Sequence, residues 1–140
     1  MKMSTKGKYA LEIVTDLAMH SSEEHLESLK NIAGRRQLSE KYLERIIKML
    51  KNEKIVKSVR GAYGGYCLAK SPEAISVAEV LTAVEGALAP VACLTDRADC
   101  KVDCDGCPTR ETWQEMWEQI LETVGNVTIA DIVEGAKDSD

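Results

Sequence analysis

Apolar residues return every three or four positions over several stretches of this chain. Ala10, Ile13, Val14, Leu17 and Ala18 share one face and predict an amphipathic helix from about Thr5 to Met19. Ser21 to Glu27 is a polar connector. Ser28 is placed to cap a second, short helix that turns Leu29, Ile32 and Ala33 inward. Gly34 to Leu38 reads as a turn. Ser39 is placed to cap a third helix, with Glu40 at the positive end of its dipole. The apolar stripe of that helix is Leu43, Ile46, Ile47 and Leu50, and Lys41, Glu44, Arg45, Lys48 and Lys51 lie opposite.

Two short helices joined by a tight turn, the second basic on its outer side, form a helix-turn-helix pattern. The period then changes. Ile55 to Val59 reads as a strand, Arg60 to Gly65 supplies turn residues, and Tyr66 to Ala69 reads as the returning strand. A hairpin directly after a helix-turn-helix is a wing. Glycines at its tip let the backbone approach a phosphate closely.

Beyond Ser71-Pro72, Ser76 and Glu79 match a capping box, with Val77, Val80, Leu81 and Val84 behind them and Gly86 as a stop. Residues 87–108 show no clear period. Thr109 is a candidate cap for a longer helix striped by Trp113, Met116, Trp117, Ile120, Leu121 and Val124, with Gly125 as its stop. Two tryptophans on one stripe bury a large area, either within the chain or between two copies. Thr128 and Asp131 cap a last short helix around Ile129, Ile132 and Val133, and the chain frays from Ala136.

The 140 residues suit one domain with an extension. Aromatic residues make up 4% and there is no Phe, so the core rests on aliphatic side chains and Met. There is no apolar run long enough to span a bilayer and no signal-peptide pattern, which points to the cytoplasm and away from membranes. A net charge of -5 conceals a split. Residues 1–70 hold 14 Lys and Arg against 8 Asp and Glu, whereas residues 71–140 hold 4 against 15. That asymmetry places a nucleic-acid face in the first half, although a basic helix surface is often no more than solvated lysine.

Four of the five cysteines, Cys93, Cys100, Cys104 and Cys107, are spaced C-x6-C-x3-C-x2-C. Thiolates so spaced can converge on one soft metal centre. Asp96, Asp99, Asp103 and Asp105 crowd the same loop, and a bound cation or cluster would help to hold it closed. Metal ligation is the first reading, a thiol redox switch the second and inert cysteines the third. Spacing alone does not separate zinc from an iron–sulfur cluster. Cys67, in the wing strand, reads as a small buried hydrophobe. His20 and His25 read as surface residues. No catalytic constellation stands out, so an enzyme is not expected.

With these motifs assembled, the chain resembles a known family. Met3 to Leu11, Leu38 to Ile46, Val59 to Tyr66, Cys107 to Trp113 and Asn126 to Asp131 are similar to segments of the Rrf family of winged-helix bacterial transcriptional regulators. That family includes the iron–sulfur cluster regulator IscR, the nitric-oxide-sensing repressor NsrR and the cysteine-metabolism repressor CymR. The resemblance spans nearly the whole chain. It implies a homodimer, joined through the long helix, on a partly palindromic double-stranded DNA operator. It implies Cys93, Cys100 and Cys107 as cluster ligands, with Cys104 additional. Arg110 stands where the IscR branch has a histidine ligand, and Lys8 where the NsrR branch has an aspartate from the partner's first helix. Neither is a suitable ligand. Cys104 is the first candidate for the fourth position, and Glu12 the weaker one. The CymR branch lacks the cysteine set and fits poorly on that count.

The expected fold is mainly α with a small β-hairpin wing. Residues 1–70 form the winged helix-turn-helix, 71–86 a connecting helix, 87–108 the cluster-binding loop, and 109–140 the dimerisation helix and tail. The expected function is a transcription factor, usually a repressor, whose 2Fe–2S or 4Fe–4S cluster sets DNA affinity and so senses iron–sulfur, redox or nitric oxide status. Ser39, Lys41, Tyr42, Glu44 and Arg45 would reach bases and phosphates from the recognition helix. Arg60 and the backbone at Gly61 would act at the minor groove or the sugar-phosphate rim. Tyr42 could instead pack against the wing. Rival readings are a zinc-stabilised protein, acting as a regulator or an interaction module, and a thiol sensor without metal.

Overall fold

A computed structural model describes residues 3–96 and 106–138 of the chain. The element order is α1 (Thr5–His20), α2 (Leu29–Arg36), α3 (Glu40–Asn52), β1 (Val56–Val59), β2 (Gly65–Leu68), α4 (Val77–Glu85), α5 (Arg110–Asn126) and α6 (Ile129–Asp138). Short 3-10 turns at Pro72–Ala74 and Ala92–Leu94 lie between them. The two strands form one antiparallel hairpin, with Val56 opposite Leu68 and Val59 opposite Gly65. This is the mainly helical, winged arrangement that the periodicity predicts.

Serine caps start each of the first four helices. Ser4, Ser28, Ser39 and Ser76 accept from the backbone N–H three residues on, satisfying a donor the helix itself leaves open. The Ser76 box is only half made, because Glu79 turns to Lys70 at 2.5 Å. At α6 the reciprocal box is complete: Thr128 N–H donates to Asp131 Oδ2 at 2.9 Å, and Asp131 N–H to Thr128 Oγ1 at 3.1 Å.

The predicted stripes meet in one core. Ala10, Ile13, Val14 and Leu17 of α1 pack with Ile32 of α2 and with Leu43, Ile46, Ile47 and Leu50 of α3. Ile75, Val80 and Val84 join from the segment after the wing, and Ile129 from α6. Each fully buried aliphatic side chain contributes about 1.5–3 kcal/mol. The tail therefore packs back onto the first half of the chain. Val77 N–H donates to Val127 O at 2.8 Å, and Ile129 N–H to Ile75 O at 2.9 Å, which closes α6 over the core.

Three local expectations need correction. Gly34, Arg35 and Arg36 belong to α2 rather than to the turn, which contracts to Gln37 (φ 56°) and Leu38. The two arginines are held in the helix by acids elsewhere. Arg35 donates to Asp16 through Nε and Nη2 at 3.0 and 2.8 Å, and to Glu27 at 3.1 Å. Arg36 Nε lies 3.3 Å from Asp16. Thr109 does not cap α5; its side chain makes no bond to the helix N-terminus. Gly125 lies inside α5, which runs one residue further.

The polar connector also carries unexpected order. Glu27 exchanges both backbone bonds with Tyr66, at 3.0 and 2.8 Å, and so anchors the wing to the helical core. His20 and His25 lie on the surface, as their placement beside the polar connector suggests.

Candidate nucleic-acid interface and cysteine loop

The capping and packing of α3 decide which side chains it presents outward. With Leu43, Ile46, Ile47 and Leu50 buried, the 3.6-residue period leaves Ser39, Lys41, Glu44, Arg45 and Lys48 exposed. None of Lys41, Arg45, Lys48 and Arg60 is in an ion pair among the described residues. Four other cations of this half are committed: Arg35 and Arg36 to Asp16, Lys57 to Glu23 at 2.6 Å, and Lys70 to Glu79. The exposed Lys41, Arg45 and Lys48 of α3 and Arg60 of the wing are thus available to a polyanion.

Tyr42 is half-buried and packs on α1. Its ring meets Tyr9 edge-on, with centroids 6.0 Å apart and planes at 88°. Ser39 Oγ accepts from the Tyr42 N–H at 3.2 Å. Both residues therefore have a structural role at the start of the recognition helix. Glu44 faces the wing: burial, with the Glu44 charge nearby, pushes the Tyr66 phenol above its ordinary range.

The wing tip is a tight turn. Gly61 has φ +119°, and the Gly64 N–H donates to Gly61 O at 3.0 Å. A Cβ on Gly64 would stand 2.1 Å from Val59 O, and one on Gly65 would stand 2.6 Å from Glu27 O. The glycines thus permit close packing of backbone on backbone. Arg60 and Gly61 are exposed. Tyr63 at the tip is 97% exposed, and the sequence reading overlooked it. The available signal was an aromatic residue set among glycines, with no apolar stripe to join.

Cys67 is buried in β2, and burial pushes its thiol up, consistent with a core residue. Cys93 and Cys107 line a single cavity of about 180 Å³ with Val91, Leu94, Thr109, Arg110 and Trp113. Cys107 Sγ lies 3.4 Å from the Thr109 hydroxyl. Hydrogen bonding from Thr109, with Arg110 close by, holds that thiol below its ordinary range. Arg110 Nη1 is buried with no hydrogen-bond partner among the described residues. Two soft sulfur donors beside a cationic donor suit an anionic thiolate–metal assembly. Cys100 and Cys104 lie outside the described residues. Lys8 and Glu12 line a different groove, along α1.

No residue of α5 is fully buried. Met116 and Leu121 are 38% and 40% exposed, and the Trp117 indole N–H finds no partner among the described residues. Among the described residues no helix is long and apolar enough to cross a membrane.

Comparison with known proteins agrees with this fold. The CymR regulator of Bacillus subtilis (strain 168) is 39% identical over 94% of this chain and 89% of its own. The solved structure of B. subtilis CymR, described as its global cysteine regulator, covers 96% of this chain and 97% of its own with a TM-score of 0.79. The structure of T. potens IscR is 37% identical and covers all of this chain and 91% of its own, with a TM-score of 0.81. Overall identity does not separate the CymR and IscR branches. The poor fit expected for CymR rests on the cysteine loop alone. Relatives of this kind are transcriptional regulators that bind DNA, not enzymes. The profile described as "Rrf2: Iron-dependent Transcriptional regulator" matches residues 3–135, and the chain belongs to the Rrf2 family of winged-helix transcriptional regulators.

Proposed function

We propose that this regulator is a cytoplasmic, dimeric repressor whose grip on a partly palindromic operator is set by an iron–sulfur cluster in the cysteine loop. The observation that carries the reading is the meeting of Cys93 and Cys107 on one cavity at the start of α5. Cys93, Cys100 and Cys107 would hold the cluster, with Cys104 as the first candidate for the fourth position and Glu12 the second. A 2Fe–2S form is favoured over 4Fe–4S. When bound, such a cluster supplies reversible one-electron chemistry and sensitivity to oxidants and nitric oxide.

The chain's own residues supply the rest. Lys41 and Arg45 approach phosphates and base edges in the major groove, while Arg60 follows the minor groove. Met116, Trp117 and Leu121 form the face on which a second copy packs, since an apolar stripe of this size is a poor solvent surface. The loop joins α4 at Gly86, whose φ is +78°. Next to it, Glu85 is tied to the start of α1, and α1 carries the Tyr9 ring on which Tyr42 of α3 rests. Order in the loop thus bears on the element that carries the reading head.

Anaerobic purification tests this, with iron, sulfide and zinc counted per chain and a visible spectrum recorded. A colourless protein with one zinc per chain overturns the iron–sulfur reading. Cys93→Ala and Cys107→Ala should each abolish the chromophore. Arg45→Ala and Arg60→Ala should each weaken operator binding by about 1–3 kcal/mol.

A second reading is a zinc-stabilised or thiol-redox regulator on the same winged helix. The likeness to a cysteine regulator favours it. In the thiol version, mass spectrometry of metal-free, oxidised protein would show a disulfide within residues 93–107, and DNA binding would follow it.

A further inference from the structure

The four tyrosines of the chain divide sharply. Tyr9, Tyr42 and Tyr66 are half-buried and pack against the core, whereas Tyr63 is 97% exposed. Tyr63 sits in the turn closed by the Gly64 N–H to Gly61 O bond. That close turn requires glycine at 64, where a Cβ would stand 2.1 Å from Val59 O. The phenol is therefore held out at the tip, beside the exposed Arg60 and the half-exposed Val59. No packing need within the chain accounts for an aromatic ring there. A ring, an aliphatic side chain and a guanidinium on one narrow tip match the minor groove. Its walls are sugar C–H groups, its floor carries acceptors, and its rims are phosphates.

We propose that Tyr63 is a minor-groove contact of the wing, its ring against the sugar wall and its hydroxyl donating to a purine N3 or pyrimidine O2. The proposal rests on the operator-binding reading and adds a residue that reads shape and A·T content. The ring is ordered at little cost, because a tyrosine has only two side-chain torsions to fix.

The test uses the full-length protein and a duplex enriched from a random library by the unaltered chain. Tyr63→Ala, Tyr63→Phe and Arg45→Ala are compared by fluorescence anisotropy across a salt series. Thermal melts of all three should match the parent, since these side chains are exposed. Tyr63→Ala should weaken binding about tenfold with an unchanged salt slope, because no charge is removed. Tyr63→Phe should fall between it and the parent. Changing A·T pairs under the wing to G·C should lower affinity more for the parent than for Tyr63→Ala, which keeps the Arg60 contact, whereas inosine·cytosine pairs should bind as A·T pairs do. If Arg45→Ala weakens binding while Tyr63→Ala does not, this inference is overturned and the operator reading stands. If neither variant changes affinity, this inference is likewise overturned and Arg45 leaves the interface; if the unaltered chain enriches no duplex at all, the operator reading itself fails.

Discussion

The Gly7 N–H donates to Glu85 Oε1 at 2.9 Å, joining the first turn of α1 to the last residue of α4 across 78 positions of chain. The Ser4 hydroxyl donates to the same carboxylate oxygen. An anion is thereby placed at the positive end of a 16-residue helix. It also sits one residue before Gly86, where the chain departs toward the cysteine loop. Glu85→Gln should cost about 0.5–1.5 kcal/mol in urea denaturation. Gly7→Ala places a Cβ 2.7 Å from that oxygen and should bring no gain in the parent. In a Glu85→Ala background the same change should stabilise by up to about 1 kcal/mol, through helix propensity. Equal effects in both backgrounds would remove the coupling.

Asp16 gives a larger effect. Its side chain is fully buried and meets two arginines whose side chains are 30% and 35% exposed. Asp16→Asn should destabilise by about 2–3 kcal/mol, below the range for a fully buried pair because the arginines keep some water and Arg35 keeps Glu27. Equilibrium unfolding of the protein measures it. A loss under 0.5 kcal/mol would mean that the Asp16–Arg35–Arg36 group contributes little.

The wing should weaken in alkali. The Cys67 thiol and the Tyr66 phenol are both pushed up, chiefly by burial, so the folded chain keeps these protons longer than the unfolded one. Their contribution is fully present below the unfolded values, about 8.5 for a thiol and about 10 for a phenol. It is lost as pH rises through the raised folded values. Cys67→Ala should start less stable than the parent, and the gap should narrow above about pH 9. A constant gap from pH 7 to 11 would refute the assignment to Cys67.

Gly64→Ala should detach DNA reading from folding. The added methyl meets Val59 O, a backbone atom that cannot step aside. The expected result is a loss of operator affinity of about tenfold or more, with a small shift in melting temperature, since the tip adds little to the core. A variant that binds as the parent does would show that the tip geometry is not used.

The face of α5 can be tested without disturbing the core. Met116→Lys and Leu121→Lys change side chains already in contact with water. Sedimentation should show a shift from dimer to monomer, with weaker binding to a two-half-site operator. A parent that sediments as a monomer at all concentrations would contradict the proposed assembly.

The core was legible along the chain because burial in helices writes a 3.6-residue rhythm. Leu43, Ile46, Ile47 and Leu50 announced α3, and Ser39 announced its start, since both signals are local. The wing was legible from its change of period and its glycines. What stayed hidden depends on residues far apart in the chain. Arg35 and Arg36 read as turn until Asp16 and Glu27 were seen beside them. Thr109 read as a cap until its hydroxyl was found beside Cys107. Tyr42 read as a groove contact, yet its ring rests on Tyr9. Periodicity therefore determined which faces are apolar and where helices begin. Which charges are neutralised, which tyrosine is left in solvent and that Cys93 and Cys107 share a cavity were decided only by folding, because electrostatic and steric partners are chosen by distance in space.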